Sequence, residues 1–186
     1  MSKALIIIDM WDKHHSGQDR LTSPLEQLSL RLKSRMHKIS LINIPIVVAS
    51  YNTPNPTPDS KNPWSTTNQT ILDGLPNYIE KLDQRKKTLN PNYLVSWDRD
   101  EVMKFLNSHN VTDLYFAGVS FPGCVQSRPL GMWEMQSSFN CHVVIDCVLN
   151  TLSTKYTEYD IIHDTYHNVL ASGLSYIHST ELTTND

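Results

Sequence analysis

An α/β fold, with a parallel sheet covered by helices on both faces, is what this sequence predicts. Three observations carry it. Residues 4–8, 45–50 and 114–119 are short apolar runs, continuous rather than alternating, as strands buried on both faces read. Between such runs lie stretches whose apolar residues recur at helical spacing, and alternation of strand and helix implies a parallel sheet. Two of the runs end in reactive groups: Asp9 follows one, and Cys124 follows another across a turn containing Pro122 and Gly123.

Residues 4–8 predict a central strand that delivers Asp9 to the carboxyl edge of the sheet, where ligands of open α/β sheets bind. Residues 10–23 are polar, contain Gly17 and predict a loop. Ser23 is then a helix cap and Pro24 a first helical residue. Leu25, Leu28, Leu32, Met36 and Ile39 form one helical stripe, which Asn43 ends. Residues 45–50 are the second strand. Residues 51–68 hold Pro54, Pro56, Pro58 and Pro63 and predict a long loop of the kind that often serves function. Residues 69–79 have the pattern of a short helix, residues 80–87 of a charged edge strand, and Asn90-Pro91-Asn92 of a turn. Asp98 or Asp100 caps a helix bearing Val102, Phe105 and Leu106. The strand 114–119, a helix after Cys124, a strand 142–146, a helix 159–170 and a short strand 175–179 complete the order.

The length of 186 residues fits one domain, spanning 1–186. A formal charge of -3 gives no reason to expect nucleic acid or an anionic membrane as partner. No apolar stretch approaches the roughly 20 residues of a membrane span, and no basic, then apolar, leader precedes the first strand. The three cysteines form neither a disulfide framework nor a zinc-ligand spacing. A reducing, cytoplasmic setting is the expectation.

A helix N-terminus lowers the pKa of a thiol, so Cys124 is expected to be a nucleophile with a depressed pKa. The bland alternative is a small buried hydrophobe. A carboxylate such as Asp9 can serve as the thiol's general base, but by itself it raises the thiol pKa, so a cation is expected nearby. Lys87, with Lys86 beside it, is the candidate. Trp11, Trp64, Trp97 and Phe121 lie in or beside segments leading to this site, where aromatic walls suit a small planar or apolar substrate; the alternative is that they anchor core and loops. Cys141 and Cys147 flank a strand and read as buried and inert, and Asp146 reads as a structural acceptor.

These residues resemble the isochorismatase-like cysteine hydrolases, the superfamily of nicotinamidases and isochorismatases. Ile7-Ile8-Asp9-Met10 matches the end of that family's first strand, with Trp11 where the family has Gln. Gly118, Val119, Cys124 and Val125 match the nucleophile segment. Lys87, Asn90 and Pro91 match the spacing of a lysine stretch in the nicotinamidase branch. Ser96-Trp97 with Val102 and Leu106, and Val144-Ile145-Asp146, fit later elements, so that the resemblance spans most of the chain. It implies a three-layer α/β/α sandwich with a central parallel six-stranded sheet in the order 3-2-1-4-5-6. It implies an Asp9-Lys87-Cys124 catalytic triad acting on a small amide- or carbamoyl-type substrate through a thioester. Backbone N–H groups of Ser120 and Cys124 would bind the oxyanion, and a cis peptide would precede Ser120. It also implies a homo-oligomer, dimer or tetramer.

The chain departs from the family at two further places. Nicotinamidases carry an Asp-x-His…His zinc site in the loop after strand two; here that loop has Asp59 but no histidine, and His14 and His15 adjoin strand one instead. No metal and no cofactor are expected. The family's usual Thr four residues after the cysteine is Arg128 here, followed by Pro129, and a proline inside that helix costs about 3 kcal/mol unless the helix bends or restarts. This departure keeps open a second reading, a binding or assembly protein that has kept the fold and lost activity. Other chemistries lack their residues. An aspartyl phosphatase would want a second acid at Trp11, a cysteine phosphatase an Arg at Leu130, and a dinucleotide binder a glycine-rich turn at Met10-Trp11-Asp12.

Overall fold

The computed structural model describes residues 2–10, 21–49, 92–96, 98–155 and 157–183. Its first strand, β1 (Lys3–Ile8), shows why the early apolar run is continuous. Leu5 and Ile7 join one buried cluster, and Ala4, Ile6 and Ile8 join another on the opposite face. Successive side chains of a strand point to opposite faces, so a strand covered on both sides needs an apolar residue at every step. The other strands are β2 (Ile46–Ala49), β3 (Tyr93–Val95), β4 (Asp113–Val119), β5 (Asn140–Leu149) and β6 (Tyr176–Ile177). Every neighbouring pair is parallel. The order across the sheet is β3-β2-β1-β4-β5-β6, as the resemblance implies.

The helices are α1 (Thr22–Leu41), α2 (Arg99–Ser108), α3 (Gly123–Ser127), α4 (Met132–Met135) and α5 (Glu158–Ala171). The α1 stripe of Leu25, Leu28, Leu32, Met36 and Ile39 packs with Leu5, Ile7 and Val48. On the other face Val102 and Leu106 of α2, Val125 of α3 and Met132 and Met135 of α4 pack with Ile6, Ile8 and Phe116. Helix α5 contributes Ile161 to the first cluster and Val169 to the second. The result is a three-layer α/β/α sandwich. Each large aliphatic or aromatic side chain so buried contributes about 1.5–3 kcal/mol.

Several boundaries differ from those the pattern predicts. The third strand is β3, a three-residue segment too short for periodicity to mark. The segments at 51–68, 69–79 and 80–87, and the turn at Asn90-Pro91, lie outside the described residues. Pro24 sits in the first turn of α1, but the Ser23 hydroxyl does not cap the helix: it donates to Glu158 Oε2 at 2.8 Å, tying α1 to α5. Asp98, not Asp100, caps α2 by accepting the Glu101 N–H at 3.0 Å. Strand β5 does not stop at Asp146. It continues to Leu149 through an irregularity, its pairing with β4 jumping from Phe116↔Val143 to Gly118↔Val148. Cys141 and Cys147 therefore lie within this strand rather than beside it. Asp146 accepts the backbone N–H of Ser179 at 2.7 Å and its hydroxyl at 2.5 Å, the structural role expected of it.

Candidate active site

Asp9 and Cys124 are carried by adjacent strands. Asp9 follows the last residue of β1 and its N–H donates to Ala49 O of β2 at 3.1 Å. Its φ of 47° turns the chain sharply away from the strand. Cys124 is the second residue of α3, which follows β4 after a turn. Ile8 and Gly118 are register partners, and Gly118 has a φ of 110° with a would-be Cβ only 2.0 Å from Ile8 O. No side chain fits there. The absence of one lets the two strand ends approach closely enough for their following residues to meet.

The turn between β4 and α3 contains two cis peptide bonds, Val119–Ser120 and Phe121–Pro122; the first is the one the resemblance implies. Ser120 is buried, its hydroxyl accepts the Thr151 N–H at 3.1 Å, and its carbonyl accepts the Val125 N–H at 3.0 Å. Phe121 is fully buried in the core beneath α3, and its N–H donates to Leu149 O at 3.0 Å. Its ring thus packs inside the molecule rather than forming an open wall of the site.

Cys124 is half-buried and its thiol lies against the Asp9 carboxylate. The thiol pKa is raised, not depressed as the helix start predicts. Burial is the largest cause, since it disfavours the thiolate; the Asp9 charge and a hydrogen bond to the Asp9 carboxylate add to it. A backbone hydrogen bond from Ser120 and the charge of Arg128 act in the opposite direction. The helix start fails to prevail because α3 has only five residues, no side-chain cap, and a carboxylate beside its thiol. Cys141 and Cys147 are both pushed up to about 12 by burial, which fits their reading as inert.

The cation found at Asp9 is Arg128, a residue that sequence reasoning treated only as a departure. Its Nη1 donates to Asp9 Oδ1, with the two side chains only 8% and 3% exposed. The proline that follows explains how it gets there. Helix α3 stops at Ser127, Arg128 adopts extended backbone, and a new helix, α4, starts at Met132. The signal available in the sequence was the helix-breaking Pro129 next to a cation, one turn beyond the cysteine. Lys86, Lys87, Trp11, Trp64 and Trp97 lie outside the described residues, as do His14, His15 and Asp59. Among the described residues no group of three or more His, Cys, Asp or Glu side chains could hold a metal ion. No described helix is long and apolar enough to cross a membrane.

No family model matches the sequence, and no curated protein matches it. Solved structures do match in three dimensions. A nicotinamidase from Bacillus subtilis is 18% identical, with 96% of this chain and 100% of that one covered and a TM-score of 0.58. An isochorismatase-like hydrolase from Alkaliphilus metalliredigens is 12% identical, covers 97% of each chain and has a TM-score of 0.57. A ribonuclease from Caenorhabditis elegans is 15% identical, with 98% of this chain and 79% of that one covered and a TM-score of 0.57. At such identities the likeness is one of fold: the chain has the fold that nicotinamidases and isochorismatase-like hydrolases share.

Proposed function

We propose that the protein is a cysteine-dependent hydrolase of a small amide- or carbamoyl-type substrate. One fold serves several chemistries, a ribonuclease among them, so the reading has to come from the site. The observation that carries it is the Cys124 thiol placed beside the buried carboxylate of Asp9 at the carboxyl edge of the sheet, close enough for the Asp9 charge to push the thiol pKa up. A thiol with a raised pKa rests protonated and needs a base at the moment of attack, and the adjacent carboxylate is that base.

In this reading Cys124 Sγ attacks the substrate carbonyl while Asp9 takes the thiol proton. The oxyanion is stabilised by the backbone N–H groups of Ser120 and Cys124; losing one such donor typically costs about 3 kcal/mol. Asp9 returns the proton to the leaving nitrogen, the C–N bond breaks, and a thioester remains on Cys124. Asp9 then deprotonates a water, which attacks the thioester and releases the acid and the free thiol. Lys87 is proposed as the third member of the triad, holding the thiolate and Asp9, and Trp11, Trp64 and Trp97 as substrate contacts. The proposal includes a single domain over 1–186, from the length, a cytoplasmic setting, from the scattered cysteines, and, from the resemblance, a homo-oligomer.

The test is a panel of small amides and carbamoyl acids read by ammonia release, with rapid acid quench and mass spectrometry of the Cys124 peptide. An acyl adduct on Cys124, and loss of turnover in Cys124→Ala, are expected. Asp9→Asn should lower kcat by at least about a thousandfold, the upper part of the general-base range. Turnover that survives Cys124→Ala would sink the reading. A folded protein with neither ammonia release nor adduct across the panel would favour the binding or assembly alternative.

A further inference from the structure

We propose that Arg128 is a positioning residue of this site, a built-in counter-charge that holds the Asp9 carboxylate against the Cys124 thiol. The inference rests on the reading of Asp9 and Cys124 as base and nucleophile. It has its own support in how the chain around Arg128 is made.

The segment after α3 is shaped to aim this one side chain. Arg128 closes α3 in extended backbone, its N–H reaching back to Cys124 O. Its Nε donates to Pro129 O at 3.0 Å, which fixes the stem, while Nη1 reaches Asp9. Leu130 has a φ of 67°, unusual for a bulky side chain, and is fully buried, so it pins the turn to the core. Its N–H donates to Glu134 Oε2 at 2.7 Å, and Glu134 is itself held by Arg99 at 2.7 Å. Gly131 N–H donates to Arg128 O at 2.8 Å, and a Cβ at Gly131 would lie 2.8 Å from that oxygen and 2.9 Å from Gln126 O. Pro129, Leu130 and Gly131 thus form a folded stop beside the Arg128 side chain, whose Nη1 reaches Asp9.

The charge arithmetic gives the arrangement a purpose. Asp9, from β1, and Arg128, from the end of α3, are the charged groups that bear on Cys124 among the described residues. A buried carboxylate beside a thiol disfavours the thiolate that attack must create, and a fixed cation on the far side of the carboxylate offsets that. A guanidinium suits the task because it stays charged and has several donors, so that Nε can be held by Pro129 O while Nη1 reaches Asp9.

The test is iodoacetamide alkylation of Cys124 as a function of pH, read by mass spectrometry of its peptide, with thermal unfolding as the check on folding. It needs no substrate, so its outcome is separate from that of the ammonia-release panel. In Arg128→Gln the alkylation midpoint should rise by roughly one pH unit, about tenfold slower labelling at pH 8. Arg128→Lys should recover part of that shift, which a merely structural role would not require. An unmoved midpoint in folded Arg128→Gln would overturn the proposal. Should Arg128→Gln fail to fold, Glu134→Ala, which loosens the Leu130 anchor from outside the site, decides instead: a smaller upward shift supports the proposal, and none overturns it.

Discussion

At the scale of single residues, Asp9 and Cys124 could be read from the sequence because Asp9 directly follows a recognisable buried strand and Cys124 follows another across a short turn. What pairs with them could not. The Arg128–Asp9 contact joins residues 119 positions apart, and no local pattern encodes it; spacing to Asn90-Pro91 points to Lys87, which lies outside the described residues. The direction of the thiol's pKa was missed for a related reason. The helix-start argument is local, whereas burial and the Asp9 charge come from the assembled sheet. A direct consequence is that Asp9→Asn should lower the alkylation midpoint of Cys124, since it removes a charge that opposes the thiolate. A midpoint that rises or stays put would contradict the geometry. Cys141 and Cys147 should label far more slowly than Cys124 at pH 9, in keeping with their values of about 12.

At the scale of elements, α1 was legible because its apolar residues keep helical spacing over many residues, and the central strands because their apolar runs are unbroken. Strand β3 was not, since three residues carry no period. The extent of β5 was hidden by Asp146, which reads as a strand end but is buried and satisfied by Ser179. The close crossing of β1 and β4 yields a quantitative expectation. Gly118→Ala should cost about 3 kcal/mol or more in urea unfolding, because it combines a backbone clash with a conformation that L side chains rarely adopt. Gly173→Ala, also at positive φ but with nothing within 4 Å of the added Cβ, should cost only about 1–2 kcal/mol. Equal costs at the two glycines would mean that close approach is not what Gly118 provides.

At the scale of the whole molecule, the two edges of the sheet do different work. The carboxyl edge holds Asp9, Cys124 and Arg128. The amino edge holds a chain of hydrogen bonds: Asp113 at the start of β4 accepts from Thr112 at 2.5 Å and from Asn140 at 3.3 Å, and it lies 3.4 Å from His142 Nε2. His142 Nδ1 is in turn 2.7 Å from the Ser175 hydroxyl before β6, which ties three neighbouring strands together. Burial alone would raise the Asp113 pKa, but the bonds from Thr112, His142 and Asn140 outweigh it and the net direction is down. A carboxyl depressed on folding adds stability that is fully present above its unfolded pKa, about 3.9, and is lost as pH falls through its folded value. Asp113→Asn should therefore flatten the loss of stability below about pH 4, measured as urea midpoints from pH 3 to pH 6. An unchanged acid limb would show that other carboxyls dominate it.

The glycine at 118 also sets what can vary in this molecule and what cannot. The gap between Asp9 and Cys124 is gauged by a missing methyl group on one strand and a carbonyl on the next, both in the centre of the sheet. Substitutions in the segments beyond the strand ends can reshape what reaches the thiol without touching that gauge. Selection, or a designer, is thus free to edit those outlying segments, while Gly118 and Ile8 in register keep the strand ends that carry Asp9 and Cys124 close together.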